Sequence, residues 1–112
     1  MLRGLDPLLH ADLLHVLASM GHGDELAVVD ANFPAVSVAR RLVHLDGVGA
    51  PRALAAVLSV LPLDDFVDAP AHVMAVVGDP QAVPDVVREF QPLVDRAAGR
   101  PVRLPALERF AF

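Results

Sequence analysis

Fifteen consecutive residues constrain this chain more tightly than any other stretch: Met20-Gly21-His22-Gly23-Asp24-Glu25-Leu26-Ala27-Val28-Val29-Asp30-Ala31-Asn32-Phe33-Pro34 must hold a helix end, a loop, a strand and a strand exit. Gly21 follows an apolar run and is suited to the positive φ of a helix C-terminus, while Gly23 frees the loop further. Leu26 to Val29 read as a buried strand. His22 and Asp30 then bracket that strand. In open α/β sheets ligands collect at the carboxyl ends of strands, which is where Asp30 and the exit toward Pro34 fall.

The rest of the chain extends the alternation. Leu8, Leu9, Leu13, Leu14 and Leu17 recur at helical spacing and predict a first helix that stops at Gly21. Val36–Arg41 has no single reading. Leu42–Leu45 reads as a short strand ended by Asp46-Gly47, and Pro51 suits the first turn of a helix running through Leu61 and closed by Pro62. An acidic connector with Asp64, Asp65 and Asp68 leads to a β-rich run, His72–Val77, which Gly78-Asp79-Pro80 stops. A further helix is expected from Pro84-Asp85 to Gly99, with Val86, Val87, Phe90 and Val94 on its buried side and a kink at Pro92. Val102–Leu104 adds a candidate strand, and Pro105 to Phe112 read as the opening of another helix. The pattern predicts an α/β fold: a single domain over residues 1–112 with a mixed or largely parallel sheet flanked by helices. At 112 residues such a domain can bury a real core.

Composition narrows the function classes. A formal charge of −5, with nine Lys plus Arg and no basic cluster, argues against nucleic acid and anionic membrane surfaces as partners. Hydrophobic residues make up 54% of the chain, yet no apolar run approaches the roughly 20 residues that cross a bilayer. The excess apolar surface points to subunit contacts. The absence of cysteine excludes disulfides and thiol chemistry, and the Met1-Leu2-Arg3 start lacks a signal-peptide core, so a cytoplasmic protein is expected.

Several chemistries lack their parts. There is no phosphate loop, no Gly-x-Gly-x-x-Gly and no Ser or Cys beside a plausible base. The five histidines, His10, His15, His22, His44 and His72, show no His-x-x-x-His spacing, so no metal site is expected. His10 and His15 read as surface or capping residues, and His44 and His72 as hydrogen-bonded sheet histidines. His22 differs, because two glycines deny it packing neighbours in sequence and leave the ring able to face a cleft. Taken alone it is read equally as a polar residue of a capping loop. Asp30 likewise suits the turn that follows a strand.

Five blocks alter that balance. Met20-Gly21-His22-Gly23-Asp24-Glu25, Asp30-Ala31-Asn32-Phe33-Pro34-Ala35, Leu45-Asp46-Gly47, Leu61-Pro62-Leu63-Asp64 and Glu108-Arg109-Phe110-Ala111-Phe112, in this order, resemble the RbsD/FucU family of sugar mutarotases, on its fucose side. The resemblance implies an RbsD-like fold and a cofactor-free isomerase. Its substrate would be a free monosaccharide, L-fucose before ribose, and its assembly a ring-shaped homo-oligomer such as a decamer. It puts the catalytic histidine at His22 and sugar-contacting residues at Asp30 and Arg109. A histidine, whose type titrates near pH 6.5, could exchange the protons of ring opening and reclosure; an aspartate would accept hydrogen bonds from sugar hydroxyls and an arginine would donate them. Members of the family continue past the position of Phe112 with a helix, a strand and a Tyr-Gly-Asn segment that this sequence does not contain. The chain is therefore expected to be a fragment of a longer one. The alternative is a non-catalytic sugar-binding or assembly subunit.

Overall fold

Leucines at helical spacing fold as expected into α1 (Ala11–Ser19), whose buried side carries Leu13 and Leu17. The computed structural model describes residues 2–30, 33–65, 67, 69–79, 81–108 and 112, in two units, Met1–Leu61 and Pro62–Phe112. Helices and a small parallel sheet make an α/β fold. Among the described residues no helix is long and apolar enough to cross a membrane.

In the first unit, His10 caps α1: its Nδ1 accepts the Leu13 N–H at 3.3 Å. The proton of a neutral ring then sits on Nε2, which faces the His44 carbonyl at 3.4 Å. His10 is thus the capping residue expected. Asp6 organises the approach, because its Oδ1 accepts from the Leu8 N–H at 3.0 Å and both its oxygens take the Arg52 guanidinium, at 2.6 and 2.8 Å. This two-pronged geometry ties the start of the chain to α3 (Ala50–Leu58), where Pro51 occupies the first turn as expected.

Leu9, Leu13 and Leu17 cluster with Ala56 and Val57 of α3, and Met20, Leu26, Val43 and Leu45 pack against that cluster. Truncating a leucine in such a cluster costs about 2–5 kcal/mol, so these contacts dominate the unit. The sequence placed strands at Leu26–Val29 and Leu42–Leu45. Among the described residues neither run belongs to a ladder. Their burial pattern was legible because it records side-chain contact with the leucines, whereas a ladder needs a neighbouring backbone in register. His44 accordingly lies outside any described strand, and so does His72. Between these runs, α2 (Ala35–Val38) is a single turn, stapled by the Ser37 hydroxyl donating to the Pro34 carbonyl at 3.0 Å.

The exit from α1 differs from expectation. Met20 leaves in extended conformation (φ −72°, ψ 131°), so no left-handed residue is needed at Gly21; the positive φ falls on Gly23, at 90°.

The second unit is built around α4 (Asp85–Ala98), with Val94 buried and Pro92 inside the helix. Val86, expected on the buried side, is exposed. Gly99, at φ 72°, closes the helix as expected: its N–H donates to Arg96 and the Arg100 N–H reaches the Asp95 carbonyl, the two bonds of a Schellman motif. The Asp95 carboxylate then accepts from Gln91 Nε2 at 2.8 Å and from the Val102 N–H at 3.0 Å, turning the chain back along the helix. This return leads to β2 (Ala106–Leu107), which pairs in parallel with β1 (Val73–Met74), Val73 opposite Ala106 and Met74 opposite Leu107. The sequence placed this strand at Val102–Leu104 and a helix from Pro105. The ladder begins after Pro105 instead, since proline has no N–H to give but its carbonyl accepts from Val73 at 3.0 Å. Gly78, at φ 83°, turns the chain beyond β1, where the sequence put the stop.

The Asp6–Arg52 pair makes stability depend on pH. The guanidinium, and after it the Leu8 N–H, hold the Asp6 carboxyl below its ordinary value of 3.8. A carboxyl lowered on folding stabilises the fold at pH above that ordinary value, and the contribution disappears as pH falls below it. Asp6→Asn should therefore melt below the parent protein at neutral pH, and thermal scans should show the two curves converging as the pH is lowered beneath 3.8.

Candidate functional site

The residues that end α1 shape a tight turn. The Asp24 N–H donates to the Gly21 carbonyl at 3.1 Å, closing a four-residue turn whose third residue, Gly23, has φ 90°. A positive φ at that position is the type II pattern, which glycine occupies without steric cost. A second bond crosses the turn, from the Gly21 N–H to Asp24 Oδ2 at 2.7 Å. His22 is the second residue of the turn and is exposed. The legs are seated below, since Met20 on one side and Leu26 on the other pack against the leucine cluster. A side chain able to donate and accept protons thus stands on a short, doubly hydrogen-bonded corner.

Asp30 is exposed and lies beyond the run that Leu26 anchors. Its carbonyl accepts the Phe33 N–H at 3.3 Å, and Phe33 is half-buried. Ala31 and Asn32 lie outside the described residues, as does Arg109, the third residue singled out in the sequence, together with Phe110 and Ala111. Among the described residues there is no group of three or more His, Cys, Asp or Glu side chains that could hold a metal ion. His10, His15 and His44 border a hollow of about 410 Å³ with Asp12 and Leu42, but His10 there serves as the helix cap.

The sequence model of the RbsD / FucU transport protein family matches residues 3–112. The chain belongs to the RbsD/FucU family. Among RbsD/FucU relatives, the fucose mutarotase of Homo sapiens is 41% identical over 99% of this chain and 75% of its own length. The L-fucose mutarotase of Actinobacillus pleuropneumoniae serotype 5b (strain L20) is 36% identical over the whole chain and 78% of its own length. The crystal structure of the fucose mutarotase in complex with L-fucose from Streptococcus pneumoniae superimposes with a TM-score of 0.86 at 32% identity, covering 97% of this chain and 77% of that one.

Within this RbsD/FucU chain, sequence reasoning singled out His22 but gave Asp24 no part. No periodicity marks it; the one local signal is the residue type, an aspartate beside glycines, which readily hydrogen-bonds nearby backbone in turns. The conformation depends on Gly23 keeping a left-handed backbone. A Cβ at Gly23 would meet nothing within 4 Å, so Gly23→Ala carries only the conformational cost, about 1–2 kcal/mol. The expected result is a folded protein with a modest fall in melting temperature and shifted amide resonances confined to residues 20–25. Unaltered resonances there would mean that the turn does not need the positive φ.

Proposed function

We propose that this chain is an isomerase that interconverts the anomers of free L-fucose. What carries the reading is the run of RbsD/FucU similarity over the whole chain, 36–41% identity to proteins named as fucose mutarotases, joined to an exposed histidine on a glycine-flanked turn. The same unbroken match over residues 3–112 supports reading the chain as one domain of that family.

The chemistry asks little of a protein. A base takes the proton of the anomeric hydroxyl while the ring oxygen gains one, the bond between the anomeric carbon and the ring oxygen breaks, and an open-chain aldehyde results. Rotation about the adjacent carbon–carbon bond presents the other face, and the ring oxygen attacks again with the protons returned. No atom is lost or gained, and no cofactor is needed for the balance. His22 is the residue we assign to proton exchange, an effect typically worth about 10²–10⁴-fold. To Asp30 we assign acceptance of hydrogen bonds from sugar hydroxyls, and to Arg109 their donation from a rigid fork.

His22→Ala in the intact protein should abolish catalysed exchange between the fucose anomers, read by saturation-transfer NMR, and leave the circular dichroism spectrum unchanged. Exchange at the parent rate would remove His22 from the mechanism. The exposed valines Val36 (83%), Val38 (63%) and Val77 (68%) support a homo-oligomer, in which such side chains would find cover. Sedimentation at micromolar concentration should give a mass well above that of one chain; a monomer throughout that range would rule the assembly out.

A further inference from the structure

We propose that Asp24 is the positioning residue for His22, holding the turn on which the imidazole stands; this rests on the mutarotase reading and on the part His22 plays in it. Gly21 and Gly23 on either side of His22 give the tip a backbone with wide conformational freedom. The legs at Met20 and Leu26 are fixed by packing, but packing at the legs does not choose one conformation for the corner. The two bonds to residue 24 do. The Asp24 N–H closes the turn on the Gly21 carbonyl at 3.1 Å, and the Asp24 carboxylate receives the Gly21 N–H at 2.7 Å, a short, charge-assisted contact. Together they form two rings through the backbone on both sides of His22 and fix where its Cα–Cβ bond points. With one carboxylate oxygen committed to Gly21, Asp24 acts on the reaction through the position of His22.

The backbone bond is available to Ala, Ser or Asn at residue 24, each of which keeps the N–H, whereas the side-chain bond depends on the residue placed there. Asn keeps an oxygen in the same place and loses the charge; Ala removes the acceptor. A displacement of about 1 Å in a catalytic group can cost about 10²-fold in rate, while binding of the sugar by other residues is unaffected.

The test compares the intact parent protein with His22→Ala, Asp24→Ala and Asp24→Asn, measuring L-fucose anomer exchange by saturation transfer across sugar concentrations. Asp24→Ala is expected to lower kcat by about 10²-fold with KM little changed, and Asp24→Asn to restore most of kcat. Circular dichroism and melting curves check the fold; should Asp24→Ala fail to fold, Asp24→Ser takes its place, with a kcat well below that of Asp24→Asn. A parent kcat in Asp24→Ala, with His22→Ala inactive, overturns the positioning role and leaves the mutarotase reading intact. Equal loss in Asp24→Ala and Asp24→Asn also overturns it, since the charge and not the turn would then matter. An inactive parent, or a fully active His22→Ala, overturns the reading beneath it.

Discussion

The packing of Leu9, Leu13 and Leu17 on Ala56 and Val57 is the constraint from which the rest of the first unit follows. It fixes one side of α1, and through Met20 and Leu26 it determines where the chain leaves the helix and where it is next held. Between those two anchors only a handful of residues are available, so a sharp turn is the only path. The left-handed residue falls at Gly23 and not at Gly21 because Met20 has already left the helix in extended form. The side chain at that corner, His22, inherits its position from the leucines below it.

Sequence periodicity predicted helices well and strands poorly, and the difference has a physical cause. A helix satisfies its backbone within itself, so the leucine spacing of α1, Pro51 in α3 and the glycine after α4 each carry enough local information to place an element. A strand is defined by its neighbour. Leu26–Val29 and Leu42–Leu45 have the apolar character of strands because side chains such as Leu26, Val43 and Leu45 pack on the core, yet no ladder follows from that. Proline was informative in the opposite sense. Pro105 was read as a helix start, whereas it marks the edge of a ladder to which it contributes only a carbonyl.

The candidate site was legible at the level of residue types and less so in geometry. The glycines flanking His22 exposed it as unusual, but the resemblance of the surrounding blocks to a family, and not the spacing itself, is what favours the proposed proton-exchanging role over that of a polar loop residue. Asp24 stood inside the same block without an assigned part, because a side chain that bonds to backbone three residues away leaves no periodic trace. His10 shows the converse: a histidine next to an apolar helix was read as a surface or capping residue, and it caps.

The parallel pairing of β1 with β2 carries a consequence for cooperativity in the second unit. Parallel neighbours cannot be joined by a hairpin; their connection must run out, through an intervening element and back. Here that path contains all of α4, the Gly99 reversal and the Asp95 contacts with Gln91 and Val102. A pair of two-residue strands has negligible stability of its own. The ladder therefore exists only while the helix and its return are formed, and loosening any part of that path releases the Val73 and Ala75 amides from the carbonyls of Pro105 and Leu107. Residues distant in sequence are in this way bound into one all-or-none piece, in which a change made at the helix end is felt at the strand.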